Sequence, residues 1–354
     1  MKYLVLSFLA ILFINLTSSA YAQSESYGEK LFYYVDTESA FKSLEDHIAE
    51  ISVIAPQSYK VDAQGVVWGE VDPRVIKIAE SHDVKVMPLI TNLNFDQTLL
   101  HQLLSDSAAV HRMIGTLVDL CTRNKYIGIQ FDFENLNMND KDIYTRMCRE
   151  AADALHKKGF QLSLAVVHRT QRYPGNTAYL AWLFQNWRGG YDLKRLGDIV
   201  DFISIMTYSE HTGRTTPGPV AAYGWVKKVV EYCLKYIPPG KLSLGIPLYS
   251  EHWYTAYDSS PSTVSGSFAH SASSALGYED VEGLIERYNA NVIWDKKDKI
   301  NYAILDNDGV FEYLYIEDAK SFAAKATLIQ KYHLRGFSAW VLGEEDPGIW
   351  KMLK

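Results

Sequence analysis

The sequence predicts an α/β fold, an eight-stranded (β/α)8 TIM barrel, and three observations predict it. Short apolar runs alternate with longer amphipathic ones along nearly the whole chain. Eight of the short runs are β-branched and nearly continuous, as parallel strands covered on the outside by helices are. No glycine-rich phosphate turn follows the first of them, "FYYVDTESAF", where an open doubly wound sheet usually carries one.

The strand candidates run in order. They are "KLFYYVD" near 30, "EISVIAPQSY" near 50, "VKVMPLITN" near 84 and "YIGIQFDFE" near 126. "FQLSLAVVH" near 160, "VDFISIMTY" near 200, "KLSLGIPLY" near 241 and "RGFSAWVLG" near 335 complete the set. Helical periodicity fills the gaps: "TESAFKSLEDHIAE", "DPRVIKIAESHD", one long pattern "DQTLLHQLLSDSAAVHRMIGTLVDLCTRN", and "DKDIYTRMCREAADALHKKG". "PVAAYGWVKKVVEYCLKYI" and "DAKSFAAKATLIQKYH" follow. Several begin near Asp, Ser or Thr and end with Gly or a cation, as helix caps do.

One segment breaks the rhythm. After the seventh run, from about 251 to 315, a Ser-rich stretch reads as a loop. It leads into one helix ("YEDVEGLIERYN") and strand-like pieces "NVIWD", "INYAIL" and "GVFEYLYI", with "DNDG" as a hairpin turn. The expectation is a small α+β insertion in the seventh βα loop.

The 354 residues suffice for one large domain, and 47% hydrophobic residues support a sizeable core. A formal charge of −7 without a basic run argues against nucleic acid as a partner. Residues 1–22 read as a signal peptide: Lys2, an apolar run from Tyr3 to Ile14, then Ala20-Tyr21-Ala22 as a small-x-small cleavage site. The apolar run is about 12 residues, short of the roughly 20 that span a bilayer. The expected product is a domain of residues 23–354, periplasmic or secreted, without stable membrane insertion and monomeric. Cys121, Cys148 and Cys233 are an odd set without metal-ligand spacing. They read as buried small hydrophobes, with one disulfide as the alternative. No metal or other cofactor is expected.

In "KYIGIQFDFENLNMND", which begins at Lys125, Ile129, Phe131 and Phe133 alternate with Gln130, Asp132 and Glu134. Alternation puts the polar trio on one strand face. With the apolar face against helices, that face points into the barrel mouth, where barrels keep their chemistry. Two carboxylates so close repel, so one tends to keep its proton, as a general acid requires. A strand-end Asp and Glu can equally be satisfied by Lys or Arg, and the pair alone does not decide. Other strand ends add aromatic side chains: Met206-Thr207-Tyr208, Pro247-Leu248-Tyr249 and Trp340. Rings and hydroxyls around an acid pair suit sugars.

These motifs resemble glycoside hydrolase family 18. "GIQFDFE" is similar to that family's fourth-strand signature, D-G-x-D-x-D-x-E. "SIMTYSEH", "LGIPLY" and "GFSAWVLGEEDP" resemble its sixth-, seventh- and eighth-strand motifs. "ISVIAPQSYKVDAQG" and "GGYDLKRLGDIVDFISIMTYSEH" resemble the chitinase-like bacterial branch of cell-wall and spore-cortex N-acetylglucosaminidases. The resemblance implies retaining, substrate-assisted hydrolysis of β-1,4-linked N-acetylglucosamine glycans, from peptidoglycan or chitin-type oligomers. Glu134 would be the acid and base. Asp132 would orient the acetamido N–H, and Tyr208 would bind its carbonyl. Gln130, Met206, Tyr249, Trp340 and Tyr34 would contact the sugar. The chain departs from the pattern at Ile127, Gln130 and Ser209, each standing where the family has Asp or, at the second, also Asn. Glu210, His211 and Asp192 lie close enough in sequence to Ser209 to compensate. The alternative is a chitinase-like lectin, and such proteins usually lack the Glu that Glu134 represents. A metal-dependent barrel hydrolase would need paired His residues, and His168 stands alone after the fifth run.

Overall fold

The computed structural model describes residues 27–257 and 269–354. The expected leader, and most of the Ser-rich stretch, lie outside the described residues. Eight parallel strands close a barrel: Glu29–Tyr34, Val53–Val61, Leu89–Asn92, Gly128–Asp132, Gln161–Val167, Phe202–Met206, Leu242–Pro247 and Gly336–Trp340. They are called the first to eighth barrel strands below. The eighth pairs with both the seventh and the first, and the first pairs with the second, so the sheet has no gap.

The pleat sorts side chains by parity. Leu31 and Tyr33 of the first strand face an inner cluster with Val53, Ala55, Met87, Leu89 and Phe202. Phe32 and Tyr34 face the outer layer with Ala40 and Leu44, from the helix Glu38–His47. On the fourth strand Ile129 and Phe131, with Phe133 just beyond it, join that outer layer. All three cysteines are free and buried there. Among the described residues, no helix is long and apolar enough to cross a membrane.

Local chemistry explains where elements depart from the periodicity. The long helical pattern after residue 96 is two helices, Gln97–Ser105 and Ser107–Asn124. Asp106 ends the first, and its carboxylate accepts from the Ala108 and Ala109 amides to start the second. "VKVMPLITN" divides at Pro88, which has no N–H for the ladder, into Lys85–Val86 and the third strand. Between the fifth and sixth strands lie helices Ala178–Leu183 and Leu193–Ile199, joined through a π-helical turn, Phe184–Arg188. They are too short for periodicity to reveal.

A second, antiparallel sheet lies between the seventh strand and helix Ala319–Tyr332. Its strand order is Ala269–Leu276, Ser250–Tyr257, Val310–Ile316, Ile300–Asn307, Ile293–Asp295. Helix Tyr278–Arg287 closes its own small core through Val281, against Ala303, Leu305, Leu314 and Ile316. Asp308 and Gly309, both at positive φ, make the two-residue hairpin turn. Part of the Ser-rich stretch, expected as loop, is instead the strand Ala269–Leu276, paired along its length with Ser250–Tyr257. Backbone pairing, not β-propensity, makes it a strand.

Candidate active site

The fourth strand ends at Asp132, in register with Thr91 of the third. Beyond it the chain is pinned rather than left to run free. Asn92, at the end of the third strand, accepts from the Glu134 amide at 3.0 Å and donates to the Glu134 carbonyl at 3.2 Å. Tyr191 donates to the Phe133 carbonyl at 2.6 Å. These bonds hold the backbone of the second acid without touching its carboxylate.

That carboxylate has its own partner: Trp187 Nε1 donates to Glu134 Oε2 at 3.0 Å. Gln57 Nε2 reaches Asp132 Oδ2 at 3.5 Å, and Asp132 Oδ1 is buried with no hydrogen-bond partner. No cation stands against either acid among the described residues. Burial, and then the Glu134 charge, hold the Asp132 carboxyl well above the usual carboxylate range, against the opposing Gln57 bond. Burial also raises Glu134, against the Trp187 bond. The two titrate as a pair, and the pair retains a proton where ordinary carboxylates have lost theirs.

A pocket of about 300 Å³ opens over them. Tyr208, Tyr249, Met206 and Trp340, all expected at the site, line it together with Asp132 and Glu134. Tyr208 and Tyr249 meet edge to face at 6.4 Å, and Ser209 Oγ lies 3.3 Å from the Tyr249 hydroxyl. Burial raises the Tyr208 phenol, so it stays a protonated donor. Trp340 tilts against Tyr33 at 5.3 Å.

Two expected contacts are corrected. Tyr34 does not face the pocket: strand parity turns it outward, and Tyr33 takes the inner place. Gln130 does not reach it either. It is fully buried one layer below Asp132, accepting from Tyr33 Oη at 2.8 Å and donating to Ser163 Oγ and Ser204 Oγ at 3.0 and 3.2 Å. Ser338 bridges Ser204 and Ser243 to continue this polar layer. In this buried layer an amide serves position 130 better than a carboxylate, because it must both accept and donate. Ile127 packs, partly buried, against the inner cluster. Asp192 caps helix Leu193–Ile199, and His211 binds the Thr216 carbonyl.

A second compartment, a cleft of about 570 Å³, shares Glu134 and Ser209 with the first. Its walls include Tyr179, Trp182, Trp187, Arg188, Glu210, Arg214 and Trp225. Glu134 therefore stands at the boundary of two spaces. His168 lines this cleft as a neutral ring; burial, reinforced by Arg188, pushes it down to about 3. Among the described residues, no three His, Cys, Asp or Glu side chains gather to hold a metal.

Sequence reasoning passed over Gln57, Asn92 and Trp187. Gln57 lies within a strand candidate, two strands away from Asp132, and shares the inward parity of Val53 and Ala55 on its own strand. Trp187 carries no such signal, because it stands on an isolated π-helical turn.

A sequence profile described as glycosyl hydrolases family 18 matches residues 7–345. The Bacillus subtilis glycosylase YvbX is 24% identical across the whole chain and 98% of its own length. The cortical fragment-lytic enzyme of Bacillus subtilis is 30% identical over 78% of this chain, which spans only 61% of that enzyme. Among solved structures, a chitinase from Chromobacterium violaceum superposes with a TM-score of 0.80 at 25% identity, covering 92% of this chain and 98% of that one. The Bacillus cereus spore cortex-lytic enzyme SleL, at 24% identity and covering 92% of this chain and 73% of that one, shares the fold with a TM-score of 0.79.

Proposed function

The chain belongs to glycosyl hydrolase family 18, and we propose that this glycoside hydrolase cleaves β-1,4-linked N-acetylglucosamine glycans with retention, the substrate's own acetamido group being the nucleophile. The observation that carries this reading is the unpartnered Asp132 Oδ1, buried beside Glu134 under a pocket lined by Tyr208, Tyr249 and Trp340. An acceptor with no donor suits a ligand N–H.

In this reading the sugar whose bond breaks sits in the smaller pocket on Trp340. The leaving group lies across Glu134 in the larger cleft. Glu134 gives its proton to the glycosidic oxygen as the C1–O bond breaks. The acetamido carbonyl oxygen bonds to C1 and forms an oxazolinium ion. Asp132 accepts from the acetamido N–H and steadies the positive charge, while Tyr208 donates to the carbonyl oxygen. Water then adds to C1, its proton passes to Glu134, and the ring opens to restore the acetamido group. Asp132 and Glu134 need opposite protonation states during the first step, and a pair that shares a proton supplies both. Export by residues 1–22 to the periplasm or medium, where such glycans lie, completes the proposal.

Hydrolysis of fluorogenic N-acetylglucosamine oligomers and of peptidoglycan, by the wild type and Glu134→Gln, tests it. We expect turnover by the wild type and a loss of about 10²- to 10⁴-fold in the variant. Tight glycan binding with no turnover of either substrate would make the protein a lectin and sink the proposal.

A further inference from the structure

His168 and Arg188 form a buried pair that the proposed reaction does not use. His168 follows the fifth barrel strand, 3% exposed, just beyond the point where Val167 is in register with Met206 of the sixth. Arg188 ends the turn Phe184–Arg188, half-buried, and its Nη2 donates to His168 Nε2 at 2.7 Å. A guanidinium has no lone pair to offer, so Nε2 accepts and the imidazole proton sits on Nδ1. The next residue takes the other end of the arginine: Arg169 Nη1 donates to the Arg188 carbonyl at 3.4 Å. The end of one barrel strand thus clamps Arg188 by both side chain and backbone.

As a purely structural device the clamp is poor. The Arg188 Nε is buried without a partner, and burial pulls the guanidinium below its ordinary value. A desolvated cation set against a neutral ring stabilises a fold less than apolar packing would. The same turn has neutral fastenings as well. Gln185 Nε2 donates to Asn137 Oδ1 at 2.9 Å, and Gln97 Nε2 donates to the Asn186 carbonyl at 3.0 Å. Between those bonds and Arg188 stands Trp187, whose N–H reaches Glu134. Its ring meets His168 edge-on at 5.6 Å and lies 5.5 Å from the Arg188 guanidinium. Burial and the Trp187 bond are what set the Glu134 carboxyl. Arg188 therefore bears on the acid through Trp187 rather than through its charge.

We propose that His168 is a positioning residue for the acid: by holding Arg188 it fixes the Trp187 ring and so keeps the indole N–H on Glu134 Oε2. This rests on the role of Glu134 given under Proposed function. The neutrality of the ring fits the task. With burial holding it down to about 3, His168 keeps its accepting lone pair at neutral pH, and its own ionisation lies far from that of the raised acid pair.

The test compares His168→Phe, which keeps a ring but deletes the acceptor, with His168→Gln, which keeps an acceptor. Arg188→Met breaks the same bond from the other side and removes a desolvated cation, so it does not share a folding defect of His168→Phe. In both disrupting variants the alkaline limb of kcat/KM on fluorogenic N-acetylglucosamine oligomers should move upward by about one pH unit, as loss of a hydrogen bond to a charged group implies. His168→Gln should leave it near the wild-type position. On a Trp187→Phe background, neither His168→Phe nor Arg188→Met should move it further. A second readout needs no turnover. The Trp187 indole N–H resonance, assigned by its loss in Trp187→Phe, should follow the ionisation of the acid pair in the wild type and cease to do so in His168→Phe. A limb that stays fixed in both disrupting variants, an equal shift in His168→Gln, or a shift that persists in full on the Trp187→Phe background overturns the inference. An indole resonance that titrates alike in His168→Phe and the wild type does so too. No turnover by the wild type, with the indole resonance behaving as expected, sinks the hydrolase reading and leaves the positioning role standing.

Discussion

Two buried acids, Asp132 at the barrel mouth and Glu317 where the second sheet returns to the barrel, are treated oppositely by their surroundings. Each has one carboxylate oxygen without a partner. The other oxygen makes the difference. Glu317 Oε2 accepts from Lys325 Nζ, whose side chain is fully buried, and from Ser321 Oγ at 2.7 Å. The Glu317 amide also donates to Ser250 Oγ at 3.0 Å, which ties the exit of the inserted segment to its return. Asp132 Oδ2 has only a 3.5 Å approach from Gln57, and its nearest charge is another acid. Where a buried carboxylate serves the fold, it meets a cation. Where it is proposed to serve a reaction, the cation is withheld and the protein bears the cost.

The largest stability effect should come from breaking the satisfied acid. Lys325→Met leaves Glu317 buried without its counter-charge and should cost about 3–5 kcal/mol in chemical denaturation near neutral pH. Burial already raises the Glu317 carboxyl, with Lys325 opposing. Without Lys325 it should rise further and take up a proton. The folded state then holds that proton more tightly than the unfolded chain, so the deficit should shrink as pH falls. A deficit that stays constant between mildly acidic and neutral pH would mean that lost packing, not charge, dominates.

The unsatisfied acid should behave in the opposite sense. Asp132→Asn removes a charge that burial and Glu134 both disfavour. We expect activity to fall sharply while stability at neutral pH rises by about 1 kcal/mol, within the usual range for relieving a functional site. The sign follows from linkage. A carboxyl whose pKa is raised on folding penalises the fold once pH climbs through the raised value, and that penalty is absent below the ordinary carboxylate range. The gain should therefore disappear at acidic pH. A destabilised Asp132→Asn protein at neutral pH would show that the acid pair is structural after all.

The same contrast explains what could be read in advance. The nearly continuous apolar strand runs and the period-two Asp132–Glu134 face are local patterns, and they led to the barrel and to a pocket holding both acids. Tyr34 failed for the smallest of reasons: adjacent tyrosines at 33 and 34 cannot be sorted until the strand's inner parity is known. Gln130 failed because depth along the barrel axis, which decides whether a side chain lines the pocket or the layer beneath it, has no signature in one strand. The strand at Ala269–Leu276 owes its form to a partner strand, and Trp187 reaches Glu134 from 53 residues further along the chain. Neither contact leaves a local trace.

Trp187 gives the finest test of how the acid pair is tuned. Its N–H favours the ionised form of Glu134 and so opposes the rise that burial imposes. Trp187→Phe keeps a ring in the cleft but deletes that donor. Glu134 should then hold its proton to higher pH, and the alkaline limb of kcat/KM, which reports loss of the acid's proton in the free enzyme, should move upward. The effect is smaller than the other two because burial, the first cause of the shift, is left in place. A limb that stays fixed would assign the alkaline ionisation to another group. One that moves down would mean that the Phe ring admits water to Glu134, so that lost burial outweighs the lost hydrogen bond.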